Sequence, residues 1–185
     1  MRILKIPVNI IFALILMLSA GWIWLSRDSD NSSSAGEIPA PHKGFLAPDF
    51  NLTTLDGESI KLSDLRGQSV LVNVWATWCL PCRTEMPAMQ RLYEDYSPQG
   101  FRVLAINNTV QDSISDVKDF VTENQLTFPI LLDPDGEATR LYQVRALPTS
   151  FFIDADGIIQ EVVIGGPMAE ALLRSRADKL IEAKP

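Results

Sequence analysis

The order of patterns along this chain predicts an α/β sandwich built on a mixed sheet, and three features carry that reading. Residues 69–77, SVLVNVWAT, form a near-continuous apolar run rich in β-branched residues, the signature of a strand covered on both faces. Segments of helical spacing alternate with such runs, which is the pattern of strands joined by crossover helices. Late in the chain two more runs flank Asp156-Gly157, a dipeptide that favours tight hairpins, so the sheet should be mixed.

Taken in order, residues 49–67 alternate around Asp56-Gly57 and read as a short hairpin followed by a turn of helix. The strand at 69–77 comes next. Residues 81–96 carry Met86, Met89, Leu92, Tyr93 and Tyr96 at helical spacing. Pro81 suits a first turn, whereas Pro87 lies inside and should kink the helix. Residues 101–107 form a second strand. A helix over 113–124 can be capped by Ser113 or Ser115, with Ile114, Val117, Phe120 and Val121 facing inward. Residues 128–133 are short and extended, and 137–143 form a brief helix. A hairpin pairs 150–154 with 158–165. The final helix runs from about 167 to 183, with Leu172, Leu173, Leu180 and Ile181 on its apolar face.

The first residues are of another kind. Arg2 and Lys5 precede an uncharged run at 6–25. At the helical rise such a run spans roughly 30 Å, the thickness of a bilayer's hydrocarbon core. Trp22 and Trp24 sit where an interfacial belt is expected. Ser19, Ala20 and Gly21 would suit signal cleavage, but the run stays apolar beyond them, so residues 1–26 read as an uncleaved signal-anchor helix. The flanking cations put the N-terminus in the cytoplasm and the domain outside it, on the cell membrane. Residues 27–44, rich in Ser, Pro, Gly and Asp, read as a flexible tether, with His42 a solvated residue in it. The domain then occupies 45–185. Apolar residues make up 46 % of the chain, enough for a core, and the net charge of −7 argues against nucleic-acid binding.

The chain has two cysteines, Cys79 and Cys82, at the passage from the first strand into its helix. A structural zinc needs four ligands, and two Cys with a distant His42 do not supply them. A structural disulfide closing so short a loop would add little stability. Redox exchange fits both place and spacing. Cys79 at a helix N-terminus faces unpaired N–H groups and the positive dipole end, which favour the thiolate that attacks disulfides. Cys82, one turn on, can resolve the mixed disulfide. Trp75 and Trp78 would rim the pair for docking, although core packing is an equal reading for Trp75.

With these residues in view, VNVWATWCLPC resembles the active-site segment of thioredoxin-fold proteins, and ALPTSFFIDADG at 146–157 resembles their second hallmark. APDFNLTTLDGESIKLSDLRG together with CRTEMPAM is similar to the TlpA/ResA group of membrane-anchored thiol–disulfide oxidoreductases. The resemblance covers roughly residues 47–183. It implies a thioredoxin-like three-layer sandwich with an added N-terminal β-hairpin. It also implies a cis Leu147-Pro148 bond, with Trp78, Pro81, Leu147 and Pro148 binding substrate and Leu147 offering its backbone to an extended client. Thioredoxins have a buried Asp where this chain has Asn73. The group has instead a Glu three residues after the second Cys, here Glu85, on the same helical face as Cys82. A buried carboxylate there suits a proton acceptor during exchange.

No cofactor and no metal is implied. The intervening Leu80-Pro81 lacks a cation to stabilise the thiolate, so the protein should act as a reductant. By resemblance its client would be a disulfide-bearing protein such as apocytochrome c, and its electrons would come from a membrane thiol donor. Two other readings belong to different classes. A thiol-dependent peroxidase of this fold would need a P-x-x-x-T/S-x-x-C arrangement; here Trp75 stands four residues before Cys79 and the segment lacks the proline. A copper-binding chaperone would need C-x-x-x-C-P and a distal His, and the spacing here differs.

Overall fold

The computed structural model describes residues 15, 17–19 and 38–182. The chain divides into two compact units, Met1–Ser34 and Ala35–Pro185. Of the first, the described residues Ile15, Met17, Leu18 and Ser19 are helical, and all four are exposed. Among the described residues no helix is long and apolar enough to cross a membrane. The rest of the apolar run at 6–25, and the tether up to residue 37, lie outside the described residues.

In the second unit the chain forms β1 (Asn51–Thr54), β2 (Ser59–Lys61), β3 (Ser69–Trp75), α1 (Leu80–Tyr96) and β4 (Phe101–Asn107). There follow α2 (Ile114–Glu123), β5 (Ile130–Leu132), α3 (Glu137–Leu141), β6 (Thr149–Ile153), β7 (Ile159–Ile164) and α4 (Glu170–Glu182). The strands form one sheet in the order β2-β1-β5-β4-β3-β6-β7. β3 runs parallel to β4 and β4 to β5, while β6, β7, β1 and β2 pair antiparallel to their neighbours. The sheet is therefore mixed, with the apolar run of the first strand at its centre, and all seven residues of β3 are buried.

The period-2 alternation of β3 divides the core. Leu71 and Trp75 face one side with Met86, Met89 and Leu92 of α1 and Leu173, Ala177 and Leu180 of α4. Val70, Val72 and Val74 face the other with Leu104, Ile106, Phe151, Ile153 and Tyr142. Asn73 belongs by parity to the Leu71 and Trp75 side, so it points at α1.

Several expectations need correction. Ser113 caps α2, accepting from the Asp116 N–H at 3.5 Å, but Ile114 is 45 % exposed: it is the first residue of the helix, one turn before the buried Val117. Leu172 is likewise 50 % exposed, since the buried stripe of α4 is Leu173, Ala177 and Leu180, spaced i, i+4, i+7. Trp75 is fully buried and is core, not docking rim. Residues 39–44, read as tether from composition, bond to the domain. Ala40 N–H donates to Leu46 O at 3.0 Å, Gly44 N–H to Ile159 O at 2.7 Å, and Leu46 bridges Ile158. These are backbone bonds, which a Pro- and Gly-rich composition does not reveal.

Candidate active site

Cys79 is the N-cap of α1, in extended geometry (φ −83°, ψ 102°) just where β3 ends. It is disulfide-bonded to Cys82, with the two Cα atoms 5.3 Å apart. Cys82 N–H donates to Cys79 Sγ at 3.3 Å. One of the helix's unpaired N–H groups is thus already aimed at this sulfur, where it would stabilise a thiolate. Cys79 is 5 % exposed and Cys82 0 %, so only the outer sulfur is open to attack. Trp78 and Leu80 flank it in solvent, and Pro81 is half-buried in the first turn.

The loop carrying Trp78 is tied to the end of β4. Asp112 accepts from the Thr77 N–H at 2.6 Å and from Asn107 Nδ2 at 2.7 Å, and the Trp78 indole N–H donates to Gln111 O at 2.8 Å. Neither Asp112 nor Gln111 was singled out in the sequence, since Thr77 and Trp78, which they hold, lie more than thirty residues away.

One turn beyond Cys82, Glu85 is buried. Its Oε1 accepts from Asn73 Nδ2 at 2.8 Å and its Oε2 from the Met168 N–H at 2.9 Å. Asn73 Nδ2 donates also to Ser150 Oγ at 2.9 Å, a contact fixed by the β3–β6 register that sets Asn73 opposite Ser150. Asn73 Oδ1 is buried with no hydrogen-bond partner among the described residues. Burial pushes the Glu85 carboxyl above its ordinary value, against the lowering effect of the Met168 and Asn73 bonds. A carboxyl of this kind gains and loses its proton nearer neutrality than an exposed one.

The register also brings in the second hallmark. Thr149 lies opposite Val74, so Pro148 arrives at the carboxyl end of β3, beside the start of the cysteine loop. Leu147-Pro148 is cis, and the Leu147 backbone makes no backbone hydrogen bond among the described residues. Gly165 N–H donates to Pro148 O at 2.7 Å. Gly166 then passes between Pro148 and Glu85: a Cβ there would lie 2.7 Å from Pro148 Cγ and 2.9 Å from Glu85 Oε2. Gly166-Pro167 is also cis. Leu147 packs against the cluster that holds Cys79, Cys82 and Met168. Sequence reasoning missed Gly166, Met168 and Ser150. The Gly165-Gly166-Pro167 run was the available signal, as a punctuation that neither strand nor helix explains.

With this geometry the chain matches known proteins. The AhpC/TSA family pattern matches residues 44–162. The thiol-disulfide oxidoreductase ResA of Geobacillus kaustophilus is 42 % identical over 131 residues, covering 71 % of this chain and 74 % of that protein. The thioredoxin-like protein YneN of Bacillus subtilis is 44 % identical over 124 residues, 66 % of this chain and 72 % of its own. Among solved structures, a putative thiol:disulfide interchange protein DsbE from Chlorobium tepidum is 34 % identical, with a TM-score of 0.68, covering 74 % of this chain and 95 % of that one. A sequence of this similarity, folded around a cysteine pair at a helix N-terminus, belongs to the AhpC/TSA family and is a thiol–disulfide oxidoreductase of thioredoxin fold.

Proposed function

We propose that Cys79 and Cys82 are the exchanging pair, with Cys79 the nucleophile, Glu85 the proton acceptor and the pair acting as a reductant. The observation that carries the reading is the asymmetry of the two sulfurs. Cys79 caps the helix and accepts an N–H, while Cys82 is fully buried one turn from Glu85. In the reduced protein the Cys79 thiolate attacks a client disulfide. The client S–S bond breaks, its leaving sulfur takes a proton, and a mixed disulfide forms. Cys82 then loses its proton to Glu85 and attacks Cys79 Sγ. The Cys79–Cys82 bond forms, the client leaves as a dithiol, and two electrons have passed to it. A donor thiol must return the pair to the reduced state.

Leu80-Pro81 between the cysteines supplies no cation to favour the reduced form, which supports the reducing direction. Trp78, Pro81, Leu147 and Pro148 would receive the client chain, Leu147 through its backbone, which makes no backbone hydrogen bond among the described residues. The resemblance to the TlpA/ResA group supports an extracytoplasmic client such as the C-x-x-C-H segment of apocytochrome c. It also supports a membrane thiol donor and a single-pass anchor formed by residues 1–26, with the tether and the domain following.

Two experiments test this. The Cys82→Ala protein should accumulate a mixed disulfide through Cys79, and mass spectrometry of the trapped species identifies the client. Failure to trap any client under reducing turnover would remove the reading. The native protein should fractionate with membranes and begin at Met1 or Arg2. An N-terminus between Ala20 and Ala35 would refute the anchor.

A further inference from the structure

A cleft opens on the face of the sheet opposite α1 and reaches Thr149, next to Pro148. It has a volume of about 500 Å³ and an apolar floor from Tyr142, Phe151, Val162 and Ile164. Lys43 and Arg145 stand on its rim, both exposed and without an ion pair among the described residues. The one carboxylate lining it, Glu161, is engaged by Arg176 at 2.7 Å. The rim is therefore cationic on a protein whose net charge is −7. β7 is the last strand of the sheet. Its start is covered by residues 44–46, and beyond Ile159 its outer edge takes no partner among the described residues. Ile164, at the far end of that edge, is 70 % exposed.

Both walls of the cleft lead to Pro148. Arg145 precedes it by three residues, Thr149 follows it, and Gly165, next after Ile164, donates to its carbonyl. We infer that this cleft holds an extended client segment that joins the β7 edge, sets apolar side chains on the floor, and presents a carboxylate to Arg145 and Lys43. The inference rests on the client-reductase reading above and adds the chemistry of the client. Open sheet edges recruit extended chains through backbone bonds, and pockets beside the edge select among their side chains. Three residues of extended chain span about 10 Å. Arg145 is three residues from Pro148, so the two lie at most about 10 Å apart, and a client chain whose cysteine sits at Pro148 covers that distance within about three to four residues. A second copy of this chain is the competing occupant, and the test below separates the two.

The test uses the full chain, pre-reduced, with disulfide-closed C-x-x-C peptides. One set carries Leu-Glu about three to four residues from a cysteine, on either flank. A matched set carries Leu-Gln, and one peptide has no flank. The readout is the ratio, Glu over Gln peptides, of the second-order rate constants for the single reduction that each pre-reduced molecule carries out. We expect about a fivefold preference, as for a partly exposed ion pair. It should fall to about one in Arg145→Glu with Lys43→Glu, and reverse in favour of a Leu-Lys peptide. Both substituted residues are exposed, so folding is spared. A Glu-to-Gln ratio of one in the parent, or a ratio unchanged by the substitutions, overturns the proposal while leaving the reductase reading intact. Concentration-dependent dimerisation abolished by the same substitutions overturns it in favour of a second copy. No reduction of any peptide, the unflanked one included, removes the reductase reading and this proposal with it.

Discussion

Replacing Glu85 by Gln should narrow the stability gap between parent and variant as pH rises. The substitution keeps the size of the side chain and removes its charge. Two donors converge on the carboxylate, Asn73 Nδ2 at 2.8 Å and the Met168 N–H at 2.9 Å. An amide has one acceptor oxygen, so one of these donors comes to face an NH2 group, and a buried unsatisfied group costs about 1–3 kcal/mol. Against that stands the desolvation of the charge, which prevails over both hydrogen bonds and raises the Glu85 carboxyl. A raised folded pKa means that the native state holds this proton more tightly than the unfolded chain does. Below the unfolded carboxyl range both side chains are neutral. As pH climbs from the unfolded value through the folded one, the parent loses about 1.4 kcal/mol per unit of separation. The glutamine does not titrate, so the variant keeps its stability over that window. Urea unfolding of both proteins with the disulfide intact, from about pH 4 to about pH 8, brackets an ordinary carboxyl and a strongly raised one. Every other titrating group is shared and cancels in the difference. A gap that widens with pH would mean that Asn73 and Met168 hold the carboxyl below its ordinary value, and such a carboxylate is too weak a base to take a thiol proton.

Alkylation of the reduced protein near neutral pH should label Cys79 well before Cys82, because Cys82 is wholly buried and Cys79 caps the helix. Equal labelling would undo the assignment of the nucleophile. Gly166→Ala should lower stability by about 1–3 kcal/mol through overpacking against Pro148 Cγ and Glu85 Oε2, and should slow disulfide reduction. A variant with parental stability and rate would show that this contact yields freely. Asn73→Asp should bring a second carboxyl against Glu85, and the pair should titrate in two coupled steps with one of them strongly raised. A single unperturbed step in the pH–rate profile would show that Asn73 does not sense the Glu85 charge.

The central strand was legible because a strand buried on both faces must be apolar throughout, and SVLVNVW leaves little choice. The cysteine pair followed, since it stands at the end of that strand in the sequence itself. Glu85 could be placed on the face of Cys82 from helical spacing alone, but its partners could not. Met168 is 83 residues away and acts through its backbone N–H, which no side-chain pattern encodes. Ile114 and Leu172 were read inward for being apolar, yet the faces of α2 and α4 are set by what they pack on, and an exposed apolar residue at a helix end carries no signature.

The same geometry explains why an acid on α1 goes with an amide on β3. Asn73 faces α1 by strand parity, and its Nδ2 lies 2.8 Å from Glu85 Oε1. Carboxylates on both residues would stand at hydrogen-bond distance in a buried place, where like charges cannot both ionise at modest cost. With Asn73 the site holds one ionisable carboxyl in place of two. The amide gives one hydrogen to that group and the other to Ser150, which locks it against β6, the strand that Pro148 opens. Asn73 is thus more than the loss of an acid from the strand. It is the donor that lets the acid sit on the helix, one turn from Cys82, while Met168 beyond Gly166 holds the second oxygen from the opposite side.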